Sequence, residues 1–368
     1  MKTKTIIKYY SIWQLAIIVI AILAPKLLPL RETYLGIGTK TFLQNPLLYS
    51  RANFDGNHYI RIAKNGYGYA EEAFFPLYPN IMKLLIPQIK NDTLTGVIIS
   101  SVAFLFACIF FVRLIELDYS SAAARYSLLA LLAFPTSFYF GAVYTESLFI
   151  LLVLSSFYYA RARRWWIAAV LGALAANTRF VGIFMFPALL LEFWQQRRSL
   201  IGLLPAFLVP LGLISYMLFL QNTVGDSLAF IHVQKLYGQF RSERIILLPQ
   251  VFYRYTRMVV TVTKTDPIYY TLWLELVTAL MFLFTTILSA FKKIRPSYII
   301  FNLAAYLVPT FTGSFVSLPR YVLACFPSFI ILGQIASAKP RFRLFFFAIL
   351  ALFFFEVVAL FVRGYWVG

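Results

Sequence analysis

The chain has 368 residues, of which 61% are hydrophobic and only 13% charged, about half the charged fraction of a soluble domain. Long apolar runs without period-two alternation define an all-α polytopic membrane protein and exclude both a soluble globule and a β-barrel. The net charge of +19 falls in short clusters between apolar runs, the pattern that orients membrane helices, which argues against a nucleic-acid partner.

Eleven spans are predicted, near residues 10–30, 94–115, 123–140, 144–160, 165–177, 180–195, 200–221, 268–290, 298–313, 320–337 and 343–362. The first apolar run, Ile12 to Leu30, is too long for a signal-peptide core and lacks an A-x-A-like site, so it reads as a retained helix. The fifth and sixth spans are short and meet at Asn177-Thr178-Arg179, so they form either two crossings or one broken element. Cys108 and Cys325 both sit in apolar runs and read as packing residues, with neither a disulfide nor a metal site indicated. The whole chain, 1–368, reads as one transmembrane domain with two long loops, 31–93 and 222–267.

Basic clusters punctuate this map: Lys2, Lys4 and Lys8; Arg113 and Arg125; Arg161, Arg163 and Arg164; Arg197 and Arg198; Lys292, Lys293 and Arg295; Lys339, Arg341 and Arg343. With eleven crossings all six fall on one side, which the positive-inside rule makes cytoplasmic. Both long loops then face outward, and long segments translocate with less regard to their charge.

The first long loop carries the most polar, glycine- and aromatic-rich stretch: Asn53-Phe54-Asp55-Gly56-Asn57-His58-Tyr59, then Ile62-Ala63, Gly66-Tyr67 and Phe74-Phe75-Pro76-Leu77-Tyr78-Pro79. Asp55, the aromatic run, Glu146, Arg179 and Arg320 all reach the same outward face from separate parts of the sequence. Each has a plain reading: a turn or cap for Asp55, a first-turn acid for Glu146, interfacial anchors for the two arginines. Together they offer a carboxylate base, cations for a phosphate and flat rings for a sugar or prenyl chain. His58 shares a face with Asp55 if the segment is helical. Glu275 and Glu356 lie inside apolar spans, where an acid is a functional candidate by default, and they carry the rival reading of a transporter or lipid flippase. That reading leaves the polar first loop without a purpose.

These segments resemble the GPI mannosyltransferase II (PIG-V-type) family of the GT-C glycosyltransferase superfamily. The family's Trp-Asp-x-x-x-Tyr/Phe-x-x-Ile-Ala-x-x-Gly-Tyr segment aligns with Phe54 through Tyr67, with Phe54 in place of the Trp. Phe74 to Pro79, Tyr144 to Phe149, Thr178-Arg179 through Gly182, Gln234 through Gly238, and Pro319-Arg320-Tyr321 align with its further motifs. The resemblance implies a GT-C-like bundle of about eleven transmembrane helices and a polyprenyl-phosphate sugar, such as the mannose conjugate, as donor. It implies inverting transfer to a hydroxyl of a glycan, glycolipid or protein acceptor, with Asp55 as base. Arg320, Arg179 and His58 are the candidates for the donor phosphate; Tyr59, Glu146, Phe75, Tyr78, Gln234 and Tyr321 are the candidates for substrate contact. No dense carboxylate cluster is visible, so neither a metal nor another cofactor is expected. The expected membrane is the plasma (inner) membrane in a prokaryote or the endoplasmic reticulum in a eukaryote.

Overall fold

The computed structural model describes residues 1–32, 35–196, 200–236, 242, 244–264 and 267–367. These are helices joined by turns, with no strand among the described residues. In chain order the helices are α1 (Thr3–Leu27), α2 (Thr39–Gln44), α3 (Pro46–Tyr49), α4 (Asp55–Asn65), α5 (Leu77–Ile89), α6 (Asp92–Glu116), α7 (Ser121–Ala133), α8 (Glu146–Arg161) and α9 (Trp165–Ala176). They continue with α10 (Met185–Gln195), α11 (Leu208–Val224), α12 (Ala229–His232), α13 (Leu248–Thr261), α14 (Pro267–Phe291), α15 (Pro296–Thr310), α16 (Leu318–Tyr321), α17 (Phe326–Ala338) and α18 (Pro340–Val362). Short polar residues start several of them. Asn91 accepts from the Leu94 amide at 2.8 Å ahead of α6, and Ser120 from the Ala123 amide at 3.2 Å ahead of α7, each satisfying a donor that the first turn leaves open.

A hydrocarbon core about 30 Å thick needs about 20 helical residues. Among the described residues five helical stretches are long and apolar enough: α1, α6, Gly202–Val224 ending in α11, Tyr269–Phe291 in α14, and α18. The pair Leu318–Ala324 and Phe326–Ala338, bent by 83°, makes a sixth if taken as one span. Eleven full crossings are therefore not what the helix lengths give. Pro135 holds Phe134 extended (φ −60°, ψ 136°) and stops α7 at Ala133, well short of residue 140. The break at Asn177-Thr178-Arg179 is a tight reversal rather than a kink. There the Gly182 amide donates to the Arg179 carbonyl at 2.8 Å, and a Cβ on Gly182 would strike the Ala175 backbone. Large apolar side chains such as Leu15, Leu218, Phe284 and Leu352 point outward and are more than half exposed, as lipid contact requires. The chain is an integral membrane protein.

Glycine sets the closest helix contacts. A Cβ on Gly212 would collide with the Ala173 carbonyl of α9, and one on Gly333 with the Ser127 backbone of α7. Small residues let membrane helices approach this closely. Gly212→Ala and Gly333→Ala should each cost about 1–3 kcal/mol through overpacking, seen as a lower unfolding midpoint in detergent. An unchanged midpoint in both would mean that these helices do not pack as described.

The helices sort their connections into two ends. At one, Arg161 donates to Asp118 at 2.5 and 2.8 Å, Arg295 to Glu192 at 2.7 and 3.0 Å, and Arg343 to the Tyr126 hydroxyl at 2.7 Å. At the other, Asn53 Nδ2 donates to the Phe361 carbonyl at 2.9 Å, the Val143 amide to Arg51 at 2.9 Å, and Arg254 to Gly313 at 3.2 Å. The second end carries the segments around Asp55, Glu146, Arg179 and Arg320. Arg197 and Arg198 lie outside the described residues.

Candidate active site

Asp55 is the first residue of α4, where the open amides of the first turn favour a carboxylate. The residue before it is unusual. Phe54 has φ 59° and ψ −121°, a conformation costing a non-glycine residue about 1–3 kcal/mol. Its ring packs on Phe361 at 5.8 Å and edge-on to Trp366 at 5.2 Å, which holds the turn in place. One helical turn on, Tyr59 is buried among Phe74, Tyr78 and Tyr144, with its hydroxyl 3.4 Å from the Thr145 hydroxyl. Burial, then the Glu146 charge, raises the Tyr59 phenol above its ordinary value, so it stays protonated.

Arg320 comes from the other side of the bundle. Ser317, with φ 65°, turns the chain into α16, and Pro319 occupies the first turn and accepts from Thr136 at 2.5 Å. The Arg320 side chain is buried. Its Nη1 donates to Asp55 Oδ2 at 2.5 Å, and its Nε lies 3.5 Å from Glu146 Oε1. The guanidinium carbon sits 5.2–5.5 Å from the ring centres of Tyr139, Tyr144 and Tyr321, a cation–π enclosure that offsets part of the cost of burying the charge. Glu146, first residue of α8, accepts from Arg179 Nη1 at 2.7 Å. The Arg179 guanidinium in turn lies over Phe149 and Tyr321, at 5.7 and 5.3 Å.

The result is one row of alternating charge: Asp55, Arg320, Glu146, Arg179. Two of its polar atoms, Arg320 Nε and Glu146 Oε2, are buried without a hydrogen-bond partner among the described residues. Buried polar atoms are usually paired, so these two leave bonding capacity within the row.

The row faces a cavity of about 510 Å³. Polar residues, including Thr145, Gln234 and Ser242, share the lining with an apolar wall of Phe75, Phe180, Phe230, Ile245, Val308 and Pro309. Lys235, Arg244 and Trp366 also border it. Charges beside an apolar wall suit a ligand that is anionic at one point and greasy beyond it.

Of the residues singled out in the sequence, Asp55, Tyr59, Phe75, Glu146, Arg179, Gln234, Arg320 and Tyr321 line this cavity. His58 and Tyr78 do not. The segment is helical, but the His58 ring turns to Glu71, with Nδ1 2.9 Å from Oε1, and stacks on Phe74 at 4.7 Å. Glu71 also accepts from Arg61 and from the Gly68 amide, so His58 belongs to the network that ties α4 to the following loop. Tyr78 is sealed beneath α4, bonded to the Gly96 carbonyl at 3.0 Å and the Ser100 hydroxyl at 2.9 Å. Gly238, the end of the Gln234 motif, lies outside the described residues. Glu275 is bonded by the Tyr255 hydroxyl at 2.6 Å, and neither it nor Glu356 reaches the cavity. Among the described residues no group of three or more His, Cys, Asp or Glu is placed to hold a metal ion. Trp366 and Arg244 carry no motif-level signal, whereas Lys235 falls inside the Gln234 to Gly238 segment.

The class these observations define is a helical membrane protein with a charged and half-apolar cavity at one end of its bundle. The crystal structure of ArnT from Cupriavidus metallidurans bound to undecaprenyl phosphate has the same fold. Its TM-score is 0.52 and its identity 12%, over 99% of this chain and 75% of that one. No curated protein sequence matches the chain. Residues 40–244, more than half of its length, match the family model described as Mannosyltransferase (PIG-V), and the chain belongs to that family.

Proposed function

We propose that the protein transfers a sugar, mannose by family, from a polyprenyl-phosphate carrier to an acceptor hydroxyl on the extracytoplasmic face, with inversion at the anomeric carbon. The observation that carries this is the Asp55–Arg320–Glu146–Arg179 row set against an apolar wall in one cavity. The lipid phosphate named in the ArnT structure supports the same class of donor.

At rest Asp55 is held by Arg320. A donor phosphate entering the cavity offers the guanidinium a second anion. Asp55 is then released to take the proton of the acceptor hydroxyl. The acceptor oxygen attacks the anomeric carbon from the face opposite the phosphate, the same opposite-face logic as in inverting glycosidases. The bond from that carbon to the phosphate oxygen breaks, and its electron pair leaves with the polyprenyl phosphate. Arg320 and Arg179 stabilise that charge as it develops. A phosphate monoester is a stable leaving group, so no strong acid is needed.

The test is incubation of purified protein with radiolabelled polyprenyl-phosphate mannose, glucose and arabinose. Mannose transfer with release of polyprenyl phosphate is expected. Release from none of the three overturns the reading.

In this proposal the chain works as one unit, with segments 31–93 and 222–267 facing away from the cytoplasm, in the plasma membrane of a prokaryote or the endoplasmic reticulum of a eukaryote. Lys40→Cys and Thr256→Cys, at exposed positions of the two segments, should react with an impermeant thiol reagent in intact cells. Cys108 and Cys325 are fully buried and add little background. Labelling only after lysis reverses the topology.

A further inference from the structure

We infer that Trp366, delivered by the segment after α18, contacts the sugar being transferred and makes the site prefer the sugar-bearing lipid over the bare lipid phosphate. This rests on the donor reading above.

The segment is built to hold one position. Gly364 has φ +81°, and a Cβ there would strike the Arg31 carbonyl. The Arg31 amide donates to the Arg363 carbonyl at 2.9 Å, Arg363 Nε to the Leu28 carbonyl at 3.0 Å, and the Tyr365 amide to the Leu360 carbonyl at 3.0 Å. The Arg31 guanidinium lies over the Tyr365 ring at 5.7 Å, and Val367 is fully buried. Trp366 is thus pinned on both sides, yet its own ring is only half-buried and borders the cavity.

Its place there is next to the chemistry. The indole meets the ring of Phe54, the residue immediately before Asp55, at 5.2 Å and 80°. The oxygen that Asp55 deprotonates must sit about 3–3.5 Å from the carbon it attacks. A side chain beside Asp55 is therefore within reach of the sugar that owns that carbon. The indole suits it on two counts. Its flat face packs on the C–H side of a pyranose, and its N–H, which has no hydrogen-bond partner among the described residues, can donate to a ring hydroxyl. A residue serving only to brace Phe54 would need neither a place on the cavity wall nor the open N–H.

The experiment measures the affinities of polyprenyl phosphate and polyprenyl-phosphate mannose for the parent, Trp366→Ala, Trp366→Phe and Gly364→Ala, with unfolding midpoints alongside. The parent should prefer the mannose lipid by at least about tenfold. Trp366→Ala should bring that ratio close to one while the bare lipid binds as before. Trp366→Phe, which keeps the face and loses the N–H, should keep part of the ratio and carries the test if the alanine variant does not fold. Gly364→Ala should erode the ratio by displacing an intact indole. A parent ratio retained in both Trp366 variants overturns the role of Trp366 and leaves the donor reading standing. A parent that binds the two lipids equally likewise overturns this inference and leaves the donor reading standing, whereas a parent that binds neither lipid sinks the donor reading, and this inference with it.

Discussion

Asp55→Asn lowers turnover by about 10²–10⁴-fold, the range expected when a positioned base is lost, and the variant binds bare polyprenyl phosphate more tightly than the parent. The first half follows from chemistry alone, because Asn keeps the volume and an acceptor oxygen but cannot hold a proton. The second half comes from the ion pair. In the resting protein Arg320 Nη1 is committed to Asp55 Oδ2 at 2.5 Å. Both groups are largely shielded, so their attraction is weakly screened and a neutral partner changes it substantially. With Asn at 55 the guanidinium has one fewer anion to serve, and the phosphate meets less competition and less repulsion. Single-turnover assays and lipid-binding titrations separate the two effects. Near-normal turnover removes Asp55 from the role of base. Weaker lipid binding with turnover lost leaves Asp55 as base but rules out an exchange of Arg320 between carboxylate and phosphate.

The class of this protein was readable because its chemistry is sparse. In a chain with 13% charge, each Asp, Glu or Arg between apolar runs is costly, and those around Asp55, Glu146, Arg179 and Arg320 stand out against an apolar background. Hydropathy also placed the helical segments well. It failed at their ends, because an apolar window reads straight through Pro135 and through the reversal at Asn177-Thr178-Arg179, where backbone geometry decides. What one-dimensional spacing could not show was pairing. Asp55 and Arg320 are 265 residues apart and bond each other. From spacing alone, each is expected to face substrate rather than the other. His58 illustrates the same limit locally: three residues from Asp55 it shares a helical face, yet Glu71, reached only through a loop, draws its ring away. Trp366 was invisible for a related reason. Its meaning depends on Gly364 and Arg31 folding the chain back over Phe54.

Arg320→Lys should weaken binding of bare polyprenyl phosphate by at least about tenfold and lower turnover by about a hundredfold, while the protein still folds. The geometry explains why retained charge is not enough. Arg320 addresses Asp55 through Nη1 and approaches Glu146 through Nε, two directions set by one planar group, and its face is enclosed by Tyr139, Tyr144 and Tyr321. An ammonium is a single compact point and cannot span both acids while also meeting a phosphate. An interfacial anchor would behave differently, since Lys keeps both the charge and the reach to the membrane surface. Arg320→Ala is the harsher change. It strands Asp55 and Glu146 with one fewer cation in a buried row, which costs about 3–5 kcal/mol where a buried pair is broken. Lost binding in that variant would therefore be confounded with lost folding, so the lysine variant carries the test and the unfolding midpoint of each is measured beside its lipid affinity. If Arg320→Lys binds the lipid phosphate as tightly as the parent, Arg320 only braces Asp55. The phosphate site then moves along the row to its next cation, Arg179, which lines the same cavity.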